Sequence, residues 1–177
     1  MEVVVITLVL GGVKSGKSRH ALSLFMARRT AENPGVVVVT GQARDLDFRL
    51  RVEEHRLERD PAVAVREVGA ELPRSLAELS GGPGPVLVDS LDFWLFLRQE
   101  RGDADTSGRD LAEVLAPWTG PDLVLVSCEA GLGGLPGHPL ALTYARELGR
   151  LNQAAAALAH EVWLVAAGLP LALKKAD

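Results

Sequence analysis

The sequence predicts an α/β chain built on a mostly parallel, doubly wound sheet with helices on both faces. Short, near-continuous apolar runs recur along it, longer stretches of helical periodicity separate them, and a glycine-rich phosphate-loop pattern follows the first run. A strand that is apolar at nearly every position is one covered on both faces, the usual situation of a parallel strand. Regular alternation of strand and helix is the pattern of a doubly wound sheet.

The first strand is expected over residues 3–10, a run too short to cross a bilayer. It follows Met-Glu rather than a basic segment, so it does not read as a signal peptide. A helix is expected over 17–29, a strand over 36–40 and a helix over 45–59. A weaker strand near 63–68 precedes a helix over 71–79. Gly81-Gly82-Pro83-Gly84-Pro85 is a turn leading into the strand 86–89. The helix 91–98 follows, and the polar stretch 102–108 reads as a mobile loop. A helix over 109–116, a strand over 123–127, a helix over 140–159 and a strand over 162–167 complete the pattern. No repeat or low-complexity segment divides the chain, so residues 1–177 are expected to form one domain.

Composition narrows the function. An apolar content of 47% against 24% charged residues is that of a globular protein. The net charge of −4 argues against a general nucleic-acid binder, which needs clustered positive charge. Cys128 is the only cysteine, so an intrachain disulfide and a cysteine-rich zinc site are excluded. A soluble protein of the reducing cytoplasm is the expectation.

Gly11-Gly12-Val13-Lys14-Ser15-Gly16-Lys17-Ser18 satisfies G-x-x-x-x-G-K-[ST], with an apolar strand before it and an apolar-patterned helix after it. Glycines let the backbone turn so that N–H groups converge on phosphate oxygens, and the helix N-terminus adds partial positive charge. Lys17 would neutralise the β- and γ-phosphates, and the Ser18 hydroxyl would ligate Mg2+. The pattern announces phosphate binding without naming the reaction. A loop of this kind pairs with a carboxylate at the end of a neighbouring strand, and Asp89, closing 86–89, supplies one. It reads either as a ligand of Mg2+ or as a polar residue capping the next helix.

Of the histidines, His20, His138 and His160 read as structural or exposed. On a helix over 45–59, Leu46, Leu50 and Leu57 share one face, while Arg51, His55 and Arg59 repeat at i, i+4, i+8 on the opposite face. Spacing alone reads this stripe first as a solvated face. The alternative is a catalytic imidazole: fixed cations on either side disfavour its protonation and leave a neutral nitrogen able to attack an α-phosphate.

An ordered set of segments decides between them. These are the phosphate loop with Arg19, Thr40-Gly41-Gln42, Arg51-Val52-Glu53-Glu54-His55 with Arg59, and Val86-Leu87-Val88-Asp89-Ser90-Leu91 with Trp94-Leu95. They continue with Glu129-Ala130-Gly131-Leu132-Gly133, Leu148-Gly149-Arg150-Leu151-Asn152-Gln153 and Ala167-Gly168-Leu169-Pro170-Leu171 with Lys174. In this order they resemble the bifunctional adenosylcobinamide kinase/adenosylcobinamide-phosphate guanylyltransferase family of adenosylcobalamin synthesis, over nearly the whole chain.

The resemblance implies a RecA-like P-loop fold and a two-step enzyme. It would phosphorylate the aminopropanol hydroxyl of adenosylcobinamide with GTP or ATP, then transfer GMP from GTP to that phosphate, releasing pyrophosphate. By the same resemblance His55 carries the GMP, and Thr40, Gly41, Gln42, Arg56, Leu57, Glu58 and Arg59 match nucleotide-contacting positions. A nucleotide-contacting glutamate matches Glu71, with Glu67 as the other assignment. Ser127-Cys128 departs from the Ser/Thr-Asn common in the family. A homo-oligomer, with a trimer as the family's form, is implied as well. Without the resemblance, the phosphate loop and Asp89 would fit a single-step small-molecule kinase or a non-enzymatic nucleotide switch.

Overall fold

The computed structural model describes residues 4–41, 63–134 and 137–175. Its elements in chain order are β1 (Ile6–Gly11), α1 (Lys17–Ala27), β2 (Val36–Val39), β3 (Ala64–Glu67), α2 (Leu72–Leu79), β4 (Val86–Asp89) and α3 (Leu91–Arg101). They continue with α4 (Ser107–Leu115), β5 (Leu123–Cys128), α5 (Pro139–Leu158), β6 (Glu161–Ala166) and β7 (Leu169–Lys174). The strands form one seven-stranded sheet in the order β3-β2-β4-β5-β1-β6-β7. All pairings are parallel except β6 with β7.

The apolar runs become strands because they are covered from both sides. Every residue of β1 is buried, and so are Leu123 to Ser127 of β5, the strands at the middle of the sheet. Successive side chains alternate between faces. Leu8 and Leu10 pack with Leu72 and Leu76 of α2, Leu91, Trp94 and Leu95 of α3, Leu111 and Leu115 of α4, and Leu148 and Leu151 of α5. Val9 packs on the opposite face with Ala21 and Phe25 of α1, Val37 and Val39 of β2, and Val124 and Val126 of β5. Helices therefore cover both faces of a mostly parallel sheet. Among the described residues no helix is long and apolar enough to cross a membrane.

Two expectations are corrected. The stretch 102–108 is not a mobile loop. A 3-10 turn spans Ala104–Thr106, α4 begins at Ser107, and the buried Arg98 guanidinium binds Asp103 at 2.8 Å and Asp110 at 2.7 Å. Arg98 also lies over the Trp94 ring, 5.4 Å from its centroid, so the polar residues are held by a cation that sequence patterning does not pair with them.

The second correction is β7, which the pattern does not assign to a strand. Pro170 lacks an amide donor and disfavours a central strand, but it is tolerated at a sheet edge, and β7 is the edge strand beside β6. Ala167 (φ 52°) and Gly168 (φ 80°) form the two-residue connection. Positive φ at both positions suits the right-handed twist of a hairpin. Helix 45–59 lies outside the described residues.

Phe25 is fully buried against the α1 face of the sheet. A methyl group at Gly35 would fall within 2.9 Å of its ring, so the pocket has no slack. Phe25→Ala should lower the unfolding free energy by about 3–5 kcal/mol, seen as an earlier midpoint in urea denaturation at unchanged slope.

Candidate functional site

At the end of β1 the loop turns back on itself, and the carbonyl oxygens of Gly11, Gly12, Ser15 and Gly16 are each taken up. The Gly11 carbonyl accepts from the Glu129 N–H at 3.0 Å, and the Gly12 carbonyl from the Ser15 N–H at 3.2 Å. The Ser15 carbonyl accepts from the Gly168 N–H at 2.8 Å, and the Gly16 carbonyl from the His20 N–H at 3.0 Å, which starts α1. Lys14 (φ 59°) and Gly16 (φ 94°) adopt the left-handed conformations that this path requires. Among the described residues, the N–H groups of Val13, Lys14 and Gly16 donate to no protein acceptor. A half-exposed loop with these carbonyls bonded and N–H groups available, at the positive end of a helix, is suited to cradle an anion.

Lys17, the first residue of α1, places its Nζ 3.4 Å from the Gly12 carbonyl, folded back over the loop. Ser15 supports it from below: its Oγ accepts from the Lys17 main-chain N–H at 3.3 Å. A Cβ on Gly11 would lie 2.5 Å from that Oγ and 2.6 Å from the Val165 carbonyl of β6, so only glycine fits there. The loop is thus wedged between the exit of β5 and the β6–β7 turn.

Asp89 closes β4 at the same edge of the sheet. The expectation of a directly neighbouring strand is corrected: β5 lies between β4 and β1. Asp89 is in register with Val126 of β5, which pairs with Val9 of β1, so the carboxylate stands two strands from the loop and level with Val9. At the usual strand spacing that is about 10 Å across the sheet. Thr40 fixes the turn after Asp89. Its N–H donates to the Asp89 carbonyl at 3.2 Å, and its fully buried hydroxyl donates to the Ser90 carbonyl at 2.6 Å while accepting from the Ser90 N–H at 3.1 Å. The Thr40 side chain shapes the edge from beneath. Gly41 is buried beside it.

Around the end of β5 the resemblance named Ser127-Cys128, the segment from Glu129 and the segment holding Asn152 without giving them roles, and sequence patterning did not link them to Asp92 or Tyr144. Cys128 pairs in register with Gly11. Its N–H donates to Asp92 Oδ1 at 3.1 Å, and its carbonyl accepts from Asn152 Nδ2 at 3.0 Å. Asn152 Oδ1 accepts from the Ser127 hydroxyl at 2.6 Å, so an amide from α5 braces the strand end behind Ser127-Cys128. The Tyr144 hydroxyl donates to the Asp92 carbonyl at 2.9 Å, and burial raises its pKa far beyond the ordinary value. Burial, and then the Asp92 charge, push the Cys128 thiol up against the opposing pull of Lys17, so it stays protonated at neutral pH. The Asp92 signal in the sequence is faint: an acid in the first turn of a helix is ordinary. Glu129 follows at once, its Oε1 accepting from the Gly131 N–H at 3.0 Å.

Other expected residues are placed elsewhere. His20 packs edge-on against Trp163, and burial lowers its pKa. His160 Nδ1 accepts from the Ile6 N–H at 2.9 Å, and His138 Nδ1 caps α5 by accepting from the Leu140 N–H at 3.3 Å. All these imidazoles are structural. Glu67 ends β3 and Glu71 precedes α2. The exposed Glu71 carboxylate is paired with Arg101 at 2.8 Å. β3 stands four strands from β1, about 19 Å at the usual spacing, so neither glutamate is brought together with the loop. Gln42, Arg51, His55, Arg56, Leu57, Glu58 and Arg59 lie outside the described residues. The stretch holding them is entered from Gly41, at the edge that carries Asp89.

Ser18 and Asp89 present a hydroxyl and a carboxylate, hard oxygen donors of the kind magnesium takes alongside phosphate oxygens. Among the described residues no group of three or more His, Cys, Asp or Glu side chains could hold a metal ion by itself.

Comparison with known proteins gives the family and the fold. Residues 7–173 match the model of a family described as cobinamide kinase / cobinamide phosphate guanyltransferase. The bifunctional adenosylcobalamin biosynthesis protein CobP of Pseudomonas aeruginosa is 35% identical over 173 residues, covering 94% of this chain and 96% of the relative. The bifunctional adenosylcobalamin biosynthesis protein CobU of Salmonella typhimurium is 28% identical over 191 residues, covering 94% and 98%. Among solved structures, a KaiC-like protein of Pyrococcus horikoshii superposes with a TM-score of 0.51 at 18% identity, over 90% of this chain and 70% of that one, a likeness of fold alone.

Gly11→Ala must displace either Ser15 or the β6 backbone, a strain of about 1–3 kcal/mol that falls on the cradle itself. GTP affinity measured by calorimetry should fall by about tenfold to a hundredfold, with circular dichroism unchanged.

Proposed function

The chain belongs to the cobinamide kinase / cobinamide phosphate guanyltransferase family, and from that premise we propose that it performs both reactions at one triphosphate cradle. In the first, the aminopropanol hydroxyl of adenosylcobinamide takes the γ-phosphoryl group of GTP or ATP. In the second, GMP passes from GTP to the new phosphate, pyrophosphate leaves, and adenosylcobinamide-GDP results. The observation that carries this reading is the loop, whose Gly11, Ser15 and Gly16 carbonyls are bonded to neighbouring elements while Lys17 Nζ folds back over it, 3.4 Å from the Gly12 carbonyl.

The roles follow from charge. Phosphoryl transfer is chiefly a matter of holding the donor in line and stabilising charge that spreads over the transferred group and the leaving oxygen. The loop N–H groups, the α1 dipole and Lys17 do this for either reaction, because both release a charged phosphate from the same tail. Ser18 and Asp89 would hold magnesium, which when bound neutralises phosphate charge.

Guanylyl transfer needs a nucleophile at the α-phosphorus, and His55 takes that part as a neutral imidazole between Arg51 and Arg59. The imidazole nitrogen forms a P–N bond as the α–β bridging bond breaks, and the corrinoid phosphate then displaces the histidine. Gly41, Gln42 and the residues after His55 (Arg56, Leu57, Glu58 and Arg59) would line the nucleotide, with Glu71 or Glu67 contacting it far from the loop. Residues 1–177 act as one domain in a homo-oligomeric, trimeric enzyme of the cytoplasm.

His55→Ala should abolish protein labelling from α-labelled GTP while phosphorylation of adenosylcobinamide persists. Label retained by that variant would assign the nucleophile elsewhere. Lys17→Ala should depress both half-reactions by about a hundredfold or more. A variant that loses only one of them would contradict a shared cradle.

A further inference from the structure

The two half-reactions differ in one chemical demand. The first nucleophile is an alcohol, which must lose its proton as it attacks. The second is a phosphate monoester, already ionised at neutral pH. A general base beside the γ-phosphate is therefore needed for phosphorylation and idle in guanylyl transfer. Nothing assigned so far supplies it: Lys17 is a cation, Asp89 is given to magnesium, and His55 works on the α-phosphorus.

We infer that Glu129 is the catalytic base of the phosphorylation step. The observation is the junction of β5 with the loop. Cys128 pairs with Gly11, and the next residue, Glu129, sends its N–H to the Gly11 carbonyl at 3.0 Å. No other carboxylate-bearing residue among those described is tied by its main chain to the phosphate loop. Its Oε1 is steadied by the Gly131 N–H at 3.0 Å, which leaves Oε2 as the oxygen assigned to a substrate proton.

Asp92 is the competitor, and it sits on the wrong flank. It follows β4, and its Oδ1 takes the Cys128 N–H from the side of β5 that faces away from β1. It braces the strand, whereas Glu129 adjoins the cradle. In the step assigned here, the hydroxyl O–H bond breaks and its proton passes to a Glu129 carboxylate oxygen. The alcohol oxygen forms its bond to the γ-phosphorus, and the bond from that phosphorus to the β–γ bridging oxygen breaks. The nucleoside diphosphate departs with the electron pair, stabilised by Lys17. This role rests on the proposed function.

The test is Glu129→Gln in the full chain, assayed separately for each half-reaction. Glutamine keeps the Oε1 acceptor for Gly131 and removes only the basic oxygen, so the local turn is preserved. Phosphoryl transfer from γ-labelled GTP to adenosylcobinamide should lose about a hundredfold or more in kcat, with KM for both substrates within about threefold. Transfer of GMP to supplied adenosylcobinamide phosphate, and GTP binding by calorimetry, should stay within about threefold of wild type. Retention of phosphorylation within about tenfold would overturn the assignment. So would an equal loss of both reactions, which would mark Glu129 as a structural support of the loop. A wild-type chain that phosphorylated no corrinoid would instead overturn the proposed function, and this role with it.

Discussion

Everything at this site depends on where the loop's carbonyl oxygens go. An unpaired carbonyl turned into the cradle would repel the phosphate that the N–H groups attract. Each of the critical oxygens is claimed by a different part of the fold: Gly11 by the exit of β5, Ser15 by the β6–β7 turn, Gly16 by the first turn of α1. The cradle is therefore a product of three elements packed against it. Gly11 is required because Ser15 and Val165 occupy the space that a side chain would need, and Gly16 because its φ of 94° is one that side chains disfavour.

Sheet order then distributes the chemistry along one edge. β1 and β5 lie side by side near the centre, so Lys17, Cys128 and Glu129 gather at the phosphate loop. β4 stands one strand further on and offers Asp89. Beyond it β2 ends at Thr40 and Gly41, from which the chain enters the stretch containing His55. On the proposed function, the β- and γ-phosphates would lie at the centre of the edge, and His55 belongs to a stretch entered from the β2 side. A single triphosphate would then meet two kinds of chemistry by lying along this edge.

Much of this was legible in the sequence, for identifiable reasons. The buried strands β1, β2, β4 and β5 declared themselves because coverage on both faces leaves no polar alternation, and the partly buried β6 by its apolar run. The loop did so because its glycines and Lys17 stand at fixed spacing between a strand and a helix. β7 escaped because Pro170 argues against a strand, and only the sheet's edge position makes it acceptable. Stretch 102–108 looked mobile because its polarity is visible and the buried Arg98 that holds it is not. Long-range partnerships were the least legible part. Asn152 steadies Ser127-Cys128 from α5, and Glu129 bonds to Gly11 across 118 positions of chain. Local pattern carries no signal for either.

The direct measurement of the central claim is a crystal structure of the chain with a slowly reacting GTP analogue and magnesium. The account predicts the β- and γ-phosphates on the N–H groups of Val13 to Ser18, Lys17 Nζ moved from the Gly12 carbonyl to phosphate oxygen, and the Gly11 and Ser15 carbonyl bonds intact. A triphosphate bound away from the tip of β1, or a loop whose carbonyls turn inward to admit it, would contradict the account.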